Sequence, residues 1–85
     1  MNKVTFFTKD CCPLCESAWF VVERLRGRLP FDVEKIDITD PGNRRWYAMY
    51  CNDIPVIHLN GREVFRHRVS ERRLRELIES AEGGA

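Results

Sequence analysis

Thr8-Lys9-Asp10-Cys11-Cys12-Pro13-Leu14-Cys15 decides the reading of this chain. Lys3-Val4-Thr5-Phe6-Phe7 before it reads as a strand, and Glu16 to Leu29 after it reads as an amphipathic helix. Cys12 and Cys15 therefore sit where a strand turns into a helix. Pro13 suits the first helical position, where its missing N–H costs nothing and its fixed φ is already helical. Cys12 then caps the helix and Cys15 lies one turn in. Three residues of helix rise about 4.5 Å, which brings the two Cα atoms within the roughly 4.4–6.8 Å that a disulfide spans. A sulfur at the cap faces unpaired N–H groups and the positive end of the helix dipole, a setting that favours the thiolate. Lys9 adds positive charge and Asp10 opposes it. The spacing predicts a redox pair, with Cys12 as the attacking thiolate and Cys15 as the resolving thiol. Half of a metal site and two inert buried cysteines are the other readings of the same spacing.

Working outward, Val4 and Phe6 share one face of the first strand and Thr5 and Phe7 the other, so that strand is expected to be covered on both sides. Cys15, Ala18, Trp19, Val22, Leu25 and Leu29 recur at helical steps and form an apolar stripe. Gly27 weakens the last turn and Leu29-Pro30 closes it. Phe31 to Ile38 reads as a second strand whose alternation changes phase, with Phe31 and Val33 on one face and Ile36 and Ile38 on the other. That pattern predicts an inner or partly covered strand, and the three elements together make a right-handed βαβ unit.

Thr39 or Asp40 can cap a short second helix, with Pro41 at its first position and Gly42 weakening its first turn. Trp46, Met49 and Tyr50 fall on one face of it, as core or as a surface for substrate. Ile54 to Leu59 reads as a third strand, opened by a proline, which strands tolerate at their start. Asn60-Gly61 is a strong hairpin signal, and Arg62 to Arg66 returns antiparallel. Ser70 caps a last helix with Leu74, Leu77, Ile78 and Ala81 inward, and Glu82 to Ala85 reads as a frayed end. The fold class is α/β, βαβαββα, with a four-stranded mixed sheet and helices on both faces.

The chain has 85 residues, the length of one domain. Fourteen basic and 13 acidic residues leave a net charge of +1, with no broad footprint for nucleic acid or for a membrane surface. No apolar run is long enough to span a bilayer, and strand-like sequence begins by Lys3, so no signal or transit peptide is expected ahead of it. The expected address is cytoplasmic and the expected state a monomer. In that compartment a disulfide is catalytic rather than structural.

These residues resemble the glutaredoxins, and more closely the short glutaredoxin-like proteins of poorly defined function. Phe7 to Asp10, Cys12-Pro13-Leu14-Cys15, Val33, Asp37-Ile38-Thr39, Trp46-Tyr47, Tyr50, Asp53 to Val56, His58 to Gly61 and His67-Arg68-Val69 carry the resemblance over nearly the whole chain. It implies a thioredoxin fold with Pro55 in the cis form. It also implies that Ile54 offers its backbone to an extended substrate and that Lys9 meets a glutathione carboxylate. Lys9, Pro13, Leu14, Ile54 and Pro55 are expected substrate-binding residues, and Ser70 joins them because it can present a hydroxyl and a helix N-terminus to an anion. No bound cofactor is expected. Glutathione is implied as a co-substrate, and a disulfide-containing protein, a small thiol or a reductase as partners. Leu14 stands where the family usually has an aromatic residue. Arg66-His67-Arg68-Val69-Ser70-Glu71 stands where it usually has two glycines and an acidic pair that grip the γ-glutamyl end of glutathione.

Two other readings of function stand beside the oxidoreductase. One is a redox-inactive module that holds a peptide along the strand edge beside Pro55. The other is a metal or iron–sulfur site built from Cys11, Cys12, Cys15 and Cys51. Cys11 and Cys51 also read as ordinary small residues, with Cys51 four residues before Pro55. His58 reads as a structural strand histidine, and His67 with Arg66 and Arg68 as a group that steers an anionic substrate.

Overall fold

A computed structural model describes residues 1–83. The elements run β1 (Lys3–Thr8), α1 (Pro13–Arg26), β2 (Asp32–Asp37), a 3-10 turn (Pro41–Asn43), α2 (Arg44–Tyr50), β3 (Val56–Leu59), β4 (Arg62–Arg66) and α3 (Glu71–Gly83). The sheet order is β2-β1-β3-β4, with β1 parallel to β2 and the other pairs antiparallel. This is the mixed four-stranded sheet expected. No helix among the described residues is long and apolar enough to cross a membrane.

β1 lies inside the sheet because both of its faces are apolar. Val4 and Phe6 pack with Ala18, Val22 and Leu25 of α1, and with Leu74 and Ile78 of α3. Phe7 packs on the opposite face with Tyr50 of α2, Ile38 and Val56. Full burial of each such side chain stabilises by about 1.5–3 kcal/mol, so a one-residue slip of register, which exchanges the faces, is strongly disfavoured. The phase change in β2 has the same cause: Phe31 and Val33 serve the α1/α3 side, and Ile36 and Ile38 the α2 side.

Several expectations are corrected. Of the two readings of β2, inner or partly covered, the second holds: β2 is an edge strand that only β1 pairs with, and its Val33 and Ile36 are partly buried against the core. It is also shorter than the Phe31 to Ile38 run, and β3 starts at Val56 rather than Ile54. α1 stops at Arg26, where the Gly27 N–H turns back to Arg24 O and the Arg28 and Leu29 N–H groups to Leu25 O, so Leu29 packs from beyond the helix. Met49 is 52% exposed, because α2 has only two turns and its outer side meets no neighbour. Ala81 is exposed near the end of α3, beyond the sheet's cover. α3 continues through Gly83, so Glu82 and Gly83 are helical, and the rest of the expected frayed end lies outside the described residues.

The caps differ in the same local way. Neither Thr39 nor Asp40 caps the helix with its side chain. Instead Asp37 accepts from the Thr39 N–H at 2.8 Å and the Thr39 hydroxyl at 2.6 Å, which holds its carboxyl below the ordinary carboxylate range. Ser70 does cap α3, accepting from the Arg73 N–H at 3.1 Å.

The Asn60-Gly61 hairpin forms as expected, with φ of +53° and +86°. Both values are needed where a two-residue turn follows the right-handed twist of its strands. Asn60 also ties this turn to the rest of the fold. Its Oδ1 accepts from the Lys3 N–H at 2.9 Å, and its Nδ2 donates to Asn2 Oδ1 at 2.9 Å. Asn2 is buried and donates onward to Ile78 O of α3 at 3.3 Å.

Candidate functional site

β1 ends at Thr8, and the chain must reverse within four residues to start α1. Cys11 accomplishes the reversal in the left-handed region, at φ +58°, a conformation rare outside glycine and asparagine. The turn leaves Cys11 exposed and brings Cys12 to the cap of α1. Cys12 is extended there (φ −122°, ψ 99°), and its Sγ accepts from the Cys15 N–H at 3.2 Å. Pro13 is the first helical residue.

Cys12 and Cys15 are joined as a disulfide with their Cα atoms 5.2 Å apart. The two sulfurs are not equivalent. Cys15 is buried at 3% exposure, whereas Cys12 is only partly covered.

The structure gathers the pair with a second segment. Cys12, Cys15, Ile54 and Cys51 belong to one apolar cluster with Phe7, Tyr50 and Trp46. The Ile54–Pro55 peptide bond is cis, and both residues are buried. Ile54 lies just before β3. Among the described residues, its N–H and C=O take part in no backbone hydrogen bond.

The other expected site residues are less closely drawn in. Leu14 is 45% exposed on the first turn of α1. Lys9 is half-buried at the end of β1 and takes part in no ion pair among the described residues. The Ser70 hydroxyl is engaged as the cap of α3. The four-thiolate metal arrangement does not form. Cys11 is turned to solvent, and no three His, Cys, Asp or Glu side chains converge as metal ligands among the described residues.

One contact escapes sequence reading. The Asp53 carboxylate, next to Ile54, meets His67 Nε2 at 3.1 Å and Arg66 at 3.0 Å. The His67 N–H also donates to Pro55 O at 2.8 Å, while His67 holds φ +67°. The segment after β4 is thereby fastened to the cis-proline loop. Arg66 and His67 both face Asp53, so of the three residues expected to steer an anion only Arg68 has no carboxylate partner among the described residues. No local pattern announces this tie, because His67 is 14 positions from Asp53.

His58 is held on the α2 side of the sheet. It shares a hydrogen bond with the Tyr50 hydroxyl at 3.0 Å inside an aromatic group with Phe7 and Trp46. Burial pushes its ring below the ordinary imidazole range, partly opposed by Glu63.

Known proteins place this arrangement. Residues 3–79 match the family described as "Glutaredoxin-like domain (DUF836)". The chain is 33% identical over 75 residues to "Glutaredoxin-like protein YDR286C homolog" from Dictyostelium discoideum, covering 84% of this chain and 69% of that one. Among solved structures it is similar to a mutant thioredoxin from Halobacterium salinarum (28% identity, TM-score 0.70, 93% of this chain and 73% of that one). It is also similar to oxidized thioredoxin O2 from Arabidopsis thaliana (21% identity, TM-score 0.69, 94% and 74%), a likeness of fold. A thioredoxin-type fold with a disulfide at the tip of its first helix is a redox-type site. The chain belongs to the glutaredoxin-like domain family, within the thioredoxin superfamily.

Proposed function

We propose that this protein is a thiol–disulfide oxidoreductase that works through Cys12 and Cys15. The observation that carries the reading is the contrast between the two sulfurs: one partly open at a helix cap, its partner buried one turn deeper. The Cys12 thiolate attacks one sulfur of a substrate disulfide. The substrate S–S bond breaks, its other sulfur leaves as a thiolate, and a mixed disulfide forms. Cys15, losing its proton, then attacks Cys12 Sγ and expels the second substrate sulfur. Two electrons have passed from the dithiol to the substrate, and the Cys12–Cys15 disulfide remains. An external thiol or a reductase resets it by the reverse exchange. Rates follow the thiolate fraction and nucleophilicity of the attacking sulfur.

The unpaired Ile54 backbone is the docking edge for an extended substrate strand. Pro13, Leu14 and Pro55 complete the contact surface around Cys12. Lys9 and Ser70 are the residues offered to a glutathione carboxylate, with glutathione as one resetting thiol. The same reading treats residues 1–85 as one domain, acting as a monomer in a reducing, cytoplasmic setting.

The test is turnover of bis(2-hydroxyethyl) disulfide by reduced protein. Activity is expected in the native chain and absent in Cys12→Ser. Equal turnover in both would overturn the assignment and leave a peptide-holding module.

A further inference from the structure

A cleft of about 270 Å³ opens between α1 and the segment that follows β4. Its walls are Leu14, Ser17, Ala18 and Val21 on one side, and His67, Arg68 and Val69 on the other, so Ser17 is the one uncharged polar residue of the α1 wall. Leu14 belongs to the Cys-x-x-Cys turn itself, so the cleft begins at the turn that carries both sulfurs. The far wall is not a loose flap. Val69 packs on the main core, and the His67 N–H holds Pro55 O, so the wall is fastened to the proline loop. An occupant of the cleft is therefore held in a set relation to Cys12.

The chemistry of the lining is unequal. Leu14, Ala18, Val21 and Val69 are apolar. The His67 ring is turned to Asp53, and no carboxylate lines the cleft among the described residues. Arg68 is exposed and is the one permanent charge among the lining residues described. A site with an apolar floor and a single cation at its rim fits an apolar side chain beside a carboxylate.

We propose that this cleft selects peptide disulfides in which the reactive cysteine is flanked by an apolar residue and an acidic one, with Arg68 reading the acid. This deepens the oxidoreductase reading and rests on it. The exchange is the one already written: two electrons leave the Cys12–Cys15 dithiol and reduce the peptide's disulfide to two thiols.

The experiment uses short peptides whose cysteine is capped as a mixed disulfide with 2-mercaptoethanol. Their flanking residues are Leu and Glu, Ser and Glu, or Leu and Lys, each in both orders. The rate of reduction by the reduced protein is divided by its rate on bis(2-hydroxyethyl) disulfide. The Leu/Glu peptide is expected to exceed Ser/Glu by about tenfold, the scale of a small change in an apolar pocket. It is expected to exceed Leu/Lys by about two- to fivefold, the scale of one exposed charge pair. Arg68→Glu is expected to invert the Glu-over-Lys preference, which a merely structural role for Arg68 does not do. Equal ratios across the peptides, or an unchanged preference in Arg68→Glu, overturn the proposal.

Failure of the redox reading looks different, because the native chain then reduces no small disulfide at all. In that event the Leu/Glu peptide with serine in place of cysteine still interrogates the cleft. Shifts of the Val21 and Val69 methyl resonances on titration support it, and no shifts refute it.

Discussion

The Tyr50 hydroxyl and His58 Nε2 share a hydrogen bond at 3.0 Å on the α2 side of the sheet. The tautomer of the neutral ring sets which partner donates; once the ring is protonated, His58 can only donate. Burial holds the folded ring below its ordinary value of 6.5. Between the two values the unfolded chain binds more protons than the folded one, so stability falls as pH drops through that window. The urea midpoint is therefore expected to decline as pH falls below the ordinary histidine value, and to decline less in His58→Gln. An identical decline in both proteins contradicts this.

Tyr50 behaves oppositely at the other end of the scale. Burial, aided by Glu63 and opposed by Arg66, raises its phenol above 10.0. The folded state then keeps its proton longer than the unfolded one, so this contribution to stability is lost as pH rises through the window between the unfolded and folded values. Tyr50→Phe is expected to change the alkaline part of the pH–stability curve, and an alkaline limb identical to the native one in urea titrations contradicts the assignment.

The two sulfurs should separate under mutation. Cys15→Ser keeps the attacking group and removes the resolving one, so a covalent adduct with substrate is expected to accumulate at Cys12. Cys12→Ser should collect none at Cys15. Peptide-mapping mass spectrometry after brief exposure to a peptide disulfide separates these sites from the exposed Cys11; an adduct on Cys15 in Cys12→Ser at the same rate would reverse the assigned order.

The relay from Asn60 through Asn2 to Ile78 O joins the hairpin tip to α3. Asn60→Ala removes two hydrogen bonds and a residue suited to positive φ, at a cost of about 1–3 kcal/mol. Asn2→Ala, at a buried site, is expected to cost a similar amount, about 1–3 kcal/mol. The two are hydrogen-bonded to each other, so the double variant should lose less than the sum. Additive losses in chemical denaturation argue that the relay is not a unit.

Ser70→Ala removes the side-chain cap of α3 and should cost about 0.5–2 kcal/mol. Ile78, fully buried beneath the same helix, is the calibrating site: Ile78→Val is expected to cost about 0.5–1.5 kcal/mol. A cap variant with no effect on the midpoint shows that water replaces the hydroxyl.

Much of the architecture is readable from residues alone, for identifiable reasons. The two-sided apolar pattern of Val4, Phe6 and Phe7 announces a central strand, and Asn60-Gly61 announces a hairpin, because both are properties of a few adjacent residues. Leu77 and Ile78 fall on α3's inward stripe in sequence and structure alike, whereas Ala81 and Met49 do not. Periodicity finds a helix face without saying how far the neighbouring layer extends beneath it. β2 reads as inner or partly covered because Ile36 and Ile38 mimic two-sided cover, when only one of its flanks has a neighbouring strand. At the site, the cap position of Cys12 follows from Pro13. The Asp53–His67 tie and the left-handed turn at Cys11 depend on the closed tertiary shape, and no neighbour in the sequence announces them.

The two outer strands have a consequence for the protein's life in solution. β2 reads Asp-Val-Glu-Lys-Ile-Asp and β4 Arg-Glu-Val-Phe-Arg, and Lys3 is paired with Glu34 at 2.7 Å across the β2 side. Charges spaced along both rims penalise a stranger strand that tries to extend the sheet sideways. At high concentration the domain is thus guarded against fibril growth by its own borders, and replacing Glu34 and Lys35 with valine should be enough to bring thioflavin-positive aggregates.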